Sequence, residues 1–466
     1  MKRKSLVAAS SLDLEFEGGL TEQATAHAGV AVLVEVLRSS GVLAMADRAL
    51  PAKRNPKGLS HGQMVECIIV LCALGGECMD DMEILRRDLG LRAILGYEPP
   101  APSTLRSWLE SFHDEGALAA RPLQGAFIPA ETPRLEGLRT VLNHSVRSYV
   151  SAMGADRLIT IDVDAHLVES SKRQALPTYE GYRGYQPLLA VWVETGLVLA
   201  EQFRDGNVPA SVGIADLADA AYAALPARAD GWQVQLRSDT AAYEEKNLLH
   251  WDELGWRFAV GADMTPQLRQ AILELRYQDW HQWTVESDGF VREWAEVAFV
   301  PERKYERRDS QPFRYLAIRL RPPQGRFFSD GTDVKLFAVV TNDWQTPGRE
   351  LLEWQRGRAG SVEHAHRLLK DELAAGVYPS GKFGANAAWL RLQALTHNAL
   401  EMLKAAGLDP EYRQARPKRL RFAIFNHVGV MVANAGRFMM RVINHALSLT
   451  ILPVRARNRA RLCLPA

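Results

Sequence analysis

Cysteine is scarce: four residues in a chain of 466. Cys67, Cys72 and Cys78 share one apolar helical stretch and Cys463 lies near the C-terminus, with no CxxC pair and no His/Cys ligand spacing. That argues against a zinc framework or a disulfide scaffold and predicts reduced, packed thiols. Long apolar runs are missing too. The longest, CIIVLCALGG, is too short to cross a bilayer, and the N-terminus lacks the basic-then-apolar layout of a signal peptide. A soluble, cytoplasmic protein with no membrane partner is expected. Net charge is almost absent, at +1, but this balance hides a segregation. Acids are lacking after Glu411, whereas EYRQARPKRLRFAIF, RFMMRVINH and VRARNRARLCLPA are rich in arginine, a composition suited to phosphates. The apolar fraction of 47% argues against wholesale disorder and predicts a sizeable core.

From about 21 to 150 the apolar spacing is helical, as in GVAVLVEVLRSSG, GQMVECIIVLCALGG and STLRSWLESFHDEGAL. Ser103 behind Pro102 reads as the N-cap of the last of these. The segment 1–150 is therefore expected to be a helical domain, either a reader of DNA ends or a scaffold and dimerisation bundle. Near 157 the period changes. DRLITIDVDAHLV, PLLAVWVETGLVLAEQFRDG and WQVQLRSDTA run at strand length, with a hairpin turn at Glu194-Thr195-Gly196. Two helices intervene, in SVGIADLADAAYAAL and KNLLHWDELG, and RFAVGAD follows as a strand. This predicts an α/β unit over 151–264, with strands first antiparallel and then parallel. Residues 265–345 read as a β-rich insertion containing WHQWTVES, VREWAEVAFVP, RYLAIRLRPP and KLFAVVTND, with ERKYERRDSQP as a charged loop. Helices resume over 346–405, and 406–466 reads as a basic helical tail.

The stretch LITIDVDAHLVES places Asp162 and Asp164 on one face of a predicted buried strand. Like charges in a core raise each other's pKa and are costly unless paired or bound to a cation. Two accounts stay open here: an Asp held by backbone or arginine, or a metal site built on carboxylates. Asp239 ends the strand VQLRSD, where open α/β sheets bind ligands. Glu363 lies on the helix of SVEHAHRLLKDEL, with Lys370 on its face and His366 nearly so; solvated surface charges would look the same.

Taken together, a strand Asp, a strand-end Asp and a helix Glu at spacings of 75 and 124 resemble the layout of a ribonuclease-H-like nuclease with an inserted domain. Over 150–405 the motifs IDVDAHLVESSKRQALPTYEGYRGYQPLLAVW, FRDGNVPAS, LRSDTAAYE and RAGSVEHAHRLLKDEL resemble a DDE transposase of a bacterial insertion sequence, of the group 1 type. The resemblance implies Asp164, Asp239 and Glu363 as catalytic acids. Asp164-Ala165-His166 stands where such enzymes carry Asp-x-Thr, and Asp162 stays as the alternative first acid and a further metal ligand. A Tyr-Arg-Glu-Lys signature is matched by Glu363 and Lys370, with Arg358 one residue out of step and Trp354 near the Tyr position.

The resemblance further implies two Mg²⁺ ions, with Mn²⁺ as the substitute, and cut-and-paste cleavage at terminal inverted repeats with strand transfer into target DNA. Double-stranded DNA is the implied partner, a homodimer the implied assembly and a nucleoid-associated location the setting. Arg358, Lys370 and His366 are expected at DNA. Tyr182 and Arg183, in the patch YEGYRGYQP, are candidate strand contacts, and packed aromatics in a turn are the alternative. Trp283 and Trp294 of the insertion are candidates to stack on a flipped base, although each Trp is more often core. The rivals are a catalytically inactive DNA-binding protein of the same fold and a two-acid glycosidase. The basic tail disfavours the second.

Overall fold

The computed structural model describes residues 23–462 apart from 54–56, 123–124, 156, 227–230, 302–311 and 435–436. Residues 1–20, most of the loop ERKYERRDSQP and Cys463 lie outside the described residues. Among the described cysteines, Cys67 and Cys72 are buried and Cys78 is half-buried, all as free thiols.

Nine strands form one mixed sheet. In chain order they are β1 (Leu158–Ala165), β2 (Leu188–Trp192), β3 (Leu197–Gln202), β4 (Gln233–Ser238), β5 (Arg257–Ala262), β6 (His281–Val285), β7 (Val291–Val297), β8 (Arg314–Arg321) and β9 (Lys335–Thr341). Their spatial order is β6-β7-β8-β9-β5-β4-β1-β2-β3. β1, β4 and β5 are parallel, and the β2–β3 hairpin turns at Gly196, whose φ of 75° suits glycine. The insertion strands β6 to β9 continue this sheet by antiparallel pairing of β9 on β5, so they form no sheet of their own.

Period-two alternation divides β1 between the two faces of the sheet. Ile159, Ile161 and Val163 enter an apolar cluster that includes Ile214, Leu217, Ala218 and Ala221. Thr160, Asp162 and Asp164 point the other way.

The helical periodicity before 150 yields α1 (Ala31–Ser39), α2 (Val42–Ala49), α3 (His61–Leu74) and α4 (Pro133–Met153), among others. Later helices that matter for the site are α5 (Ile214–Ala224), α6 (Gly348–Arg356), α7 (Val362–Glu372) and α8 (Phe383–Ala406). α3 starts at a Ser60/Gln63 capping box and stops at Gly75, φ 97°. α1 to α4 do not close on themselves. α1, α3 and α4 pack on α8 and α2 rests on α3 and α4, and all four share one apolar cluster with α8 and with Leu189, Val191 and Val198 of the sheet. α8 is buried nearly all round, and its polar residues such as Asn386, Arg391, Gln393 and Asn398 are buried with it.

Two local expectations need correction. Ser103 is not the N-cap: the helix Pro102–Glu110 is capped by Ala101, because Pro102 needs no N–H and its fixed φ suits the first helical position. The tail 406–466 is not simply helical. Gly429–Asn434 and Arg437–Val442 form a hairpin whose first strand pairs with Ala24–Thr25. Part of the tail's positive charge is matched internally, by Arg455 on Glu35 at 2.6 Å, Arg457 on Asp409 at 3.0 Å and Arg416 on Glu372. No single described helix is long and apolar enough to cross a membrane.

β3 is an edge strand, and Asn398 of α8 covers part of that edge. Its amide accepts from Val198 N–H at 2.9 Å, donates to the Val198 carbonyl at 2.9 Å and donates to Ser145 Oγ at 3.2 Å. Asn398→Leu strands two buried backbone groups, at about 1–3 kcal/mol each. Urea denaturation should show a loss of roughly 2–6 kcal/mol on that basis; an unchanged midpoint would show that the amide is dispensable.

Candidate active site

The register of β1 on β4 sets Asp162 opposite Arg237. Two residues on, Asp164 lies at the end of β1, and Asp239 is the first residue past β4. Both strands run the same way, so both acids emerge at one C-terminal edge. Asp239 is half-buried and accepts from Ala241 N–H at 3.0 Å, which fixes it at the head of the turn that leaves the sheet. α7 packs across β1 and β2 and carries Glu363 in its first turn, half exposed.

These acids feel one another. Burial raises the Asp164 carboxyl to about 7; Arg358 opposes the rise, while Asp239 and Glu363 add to it. The Arg358 guanidinium stands 3.5 Å from Asp164 and 3.9 Å from Glu363, bridging the two as a counter-ion. Its Nη1 is buried without a hydrogen bond. Lys370 Nζ reaches His166 Nε2 at 3.2 Å, and Asp164, His166, Glu363 and Lys370 line one open cleft.

A model of the transposase DDE domain group 1 family matches residues 4–455. The chain belongs to that family. No curated protein matches it. Among solved structures it is similar to a piggyBac transposase synaptic complex with hairpin DNA, determined by cryo-EM. The identity is 8%, the match covers 84% of this chain and 76% of that one, and the TM-score is 0.41. A likeness that distant carries no argument about mechanism.

For this DDE-family chain the structure separates the two acids of β1. Asp162 is fully buried, and both its oxygens are held by Arg237, Nε on Oδ1 and Nη2 on Oδ2, each at 2.7 Å. Ser361 Oγ also donates to Oδ2. The expectation that Asp162 is a metal ligand is corrected: it is the partner of a buried arginine. Asp164, at the strand end, is the acid that meets Asp239 and Glu363.

Of the residues expected at DNA, His366, Trp283 and Trp294 are packed against the chain's own side chains. His366 is buried and its Nε2 lies 3.0 Å from the Asp164 carbonyl oxygen, with its ring 5.4 Å from that of His166. It supports the strand end from beneath. Trp283 is core: it is buried among Leu316, Val339, Leu351 and Leu352, and its indole N–H donates to Glu353 at 3.3 Å. Trp294 is packed as well. A Cβ at Gly348 would lie 2.3 Å from its ring, so α6 begins against the indole face. Arg183 is exposed and donates to the Ala175 carbonyl at 2.8 Å within its own loop, with Tyr182 half-buried beside it, so this patch stays at the surface. Arg358 and Lys370 remain the basic groups at the acids.

Sequence reasoning missed Arg237, Ser361 and Asp263. The signal for Arg237 was present, since an arginine between Leu236 and Ser238 inside an apolar strand needs a buried partner. Asp263 follows β5, one strand over, and its carboxyl is raised by burial and by Asp239, which puts a further acid on the same edge.

Three carboxylates suit a hard divalent cation, and their crowding, eased chiefly by Arg358, is a charge imbalance that such an ion would relieve. In this conformation they stand too far apart to share one: among the described residues no group of three or more His, Cys, Asp or Glu side chains could hold a metal ion. The donor set fits in chemistry but needs Arg358 to move and Glu363 to close in.

His366 supplies a pH test. Burial, first of all, lowers its pKa from 6.5 to about 3, against the carbonyl contact that raises it. The folded state keeps the ring neutral and the unfolded state protonates it. Its contribution is therefore full above 6.5 and lost as pH falls toward 3, at up to about 1.4 kcal/mol per pH unit. His366→Gln, which can still donate to the Asp164 carbonyl, should flatten the stability-versus-pH curve between 6.5 and 4. Curves of equal slope would sink the assignment.

Proposed function

We propose that this protein is an active transposase that cleaves DNA at the terminal inverted repeats of its own element and joins the freed ends to target DNA. The observation that carries the reading is the convergence of Asp164, Asp239 and Glu363 at one edge of the sheet, close enough to shift the Asp164 carboxyl. The strand order β3-β2-β1-β4-β5, with β2 alone reversed, supports a ribonuclease-H-like core interrupted by the segment that contains β6 to β9. The segment 1–150 would then be the part available for end recognition or dimerisation, and DNA the partner in a homodimeric complex.

Asp164, Asp239 and Glu363 would hold two divalent cations, Mg²⁺ by preference and Mn²⁺ in substitution. When bound, such ions supply Lewis-acid polarisation of the phosphodiester and a more acidic water. The side chains do the rest. Asp239, tethered at its turn, and Asp164, supported by His366, fix two corners of the site from adjacent strands. Glu363, the most exposed of the three, closes the third from α7. Arg358, relieved of Asp164, takes up a phosphate oxygen with its planar fork, and Lys370 lends a second charge about two turns along the same face of α7. Nothing in this arrangement requires a covalent protein intermediate, because the carboxylates act as ligands.

An inactive DNA-binding protein of the same fold is the second reading, favoured by His166 at the usual Thr position. Incubation with Mg²⁺ and a DNA duplex carrying the element's end separates them. Wild type should nick at the end and stop in EDTA, and Asp239→Ala should lose at least about 10³-fold in rate, some 4 kcal/mol of barrier. Tight end binding without cleavage by wild type would establish the inactive alternative.

A further inference from the structure

A buried cluster beneath the acids repeats one offset three times. Asp162 precedes Asp164 by two residues on β1, Arg237 precedes Asp239 by two at the end of β4, and Ser361 precedes Glu363 by two at the start of α7. The three underlying side chains are bonded to one another: Arg237 grips Asp162 through two 2.7 Å bonds, and Ser361 Oγ donates to Asp162 Oδ2. We infer that Asp162, Arg237 and Ser361 form a positioning strut that fixes the backbone positions from which the three acids project, leaving the exposed Glu363 side chain to close by rotation. This rests on the proposed function.

The geometry goes beyond ordinary packing in two respects. Ser361 occupies the N-cap of α7, yet its hydroxyl makes no bond to that helix's first turn; besides Asp162 it bonds the Arg358 carbonyl at 3.0 Å. A cap serine would ordinarily satisfy an N–H of its own helix. Here it ties the helix start to β1. Arg237 also reaches α6: its Nη1 donates to the Trp354 carbonyl, and a Cβ at Gly357 would stand 3.0 Å from that nitrogen. One guanidinium thus connects both acid-bearing strands to the segment that delivers Glu363. On a strand, i and i+2 share a face, so any shift of Asp162 against Arg237 is passed to Asp164 and Asp239 directly.

None of the three strut residues touches substrate or ion; they act through the acids. Partners that orient metal ligands from behind typically alter metal affinity 10- to 100-fold when removed. The test uses an isosteric pair, Ser361→Thr and Ser361→Val, which differ only in the hydroxyl. Mn²⁺ binding is measured by calorimetry, end cleavage in single turnover, DNA affinity by anisotropy, and folding by thermal melt. Valine should weaken Mn²⁺ binding about 10-fold or more and slow cleavage with DNA affinity held, while threonine recovers both. Folded threonine and valine variants that bind Mn²⁺ alike would overturn the strut. Should wild type itself bind no Mn²⁺ while folded, the metal-dependent function fails first, and the strut's role with it.

Discussion

A carboxylate and a guanidinium buried together between two parallel strands constrain everything near the acids. Asp162 is fully buried and the Arg237 side chain nearly so. Removing two charges from water costs about as much as their attraction returns, so the pair is weak evidence for added stability. What it does supply is register. A one-residue slip of β1 would turn Asp162 into the face occupied by Ile159, Ile161 and Val163, among apolar side chains with no cation to meet it. Separating the partners costs about 3–5 kcal/mol because an unpaired charge is left inside. The strand pairing that sets Asp164 beside Asp239 is therefore protected by a penalty much larger than any single β-propensity.

The third acid arrives by a long route, and the sheet extension explains how. After β5 the chain adds β6 to β9 and returns antiparallel on β5 itself. β9 consequently ends at the opposite edge from the acids. α6 covers the way back: nine residues rising about 1.5 Å each span roughly 13 Å across the sheet face. Its apolar side, Leu351 and Leu352, packs beside Trp283 and Val339, which is why the insertion's tryptophan is structural. The turn at 357–361 then delivers Arg358 and Ser361 before α7 begins. The insertion thus serves the site mechanically, as the surface on which α6 rides.

Much of this was legible in the sequence. The strand and helix periods between 157 and 262 predicted β1 to β5 and α5 closely, because each segment is long enough for a single period to dominate. Asp164, Asp239 and Glu363 meet at one edge, as the family resemblance implied, and Arg358 stands beside them although its spacing is one residue out of step. Tertiary facts were hidden. Periodicity cannot tell that α1 to α4 are closed by α8, some 240 residues later, or that β6 to β9 extend an existing sheet. Aromatic content cannot distinguish a stacking tryptophan from a packed one, and Trp283 and Trp294 are packed. Basic composition likewise overstated the tail, since several of its arginines answer acids such as Glu35 and Glu372.

The choice between Asp162 and Asp164 turns on how each finds its counter-charge. Both lie on one face, so the alternation that revealed them could never rank them. Asp162 has its cation in bidentate contact at 2.7 Å, with a hydroxyl in addition, and offers little to an incoming ion. Asp164 has the Ala165 backbone N–H and, as its cation, Arg358 at 3.5 Å, a distance at which the charge is held by field and not by a hydrogen bond. Its carboxyl rises to about 7 as a result, because burial and two neighbouring acids outweigh that loose partner. A carboxylate so poorly compensated gains most from a divalent ion, and an arginine so loosely held gives up least in leaving it for a phosphate. The same helix segment thus provides a tight lock through Ser361 and an exchangeable counter-ion through Arg358, three residues apart.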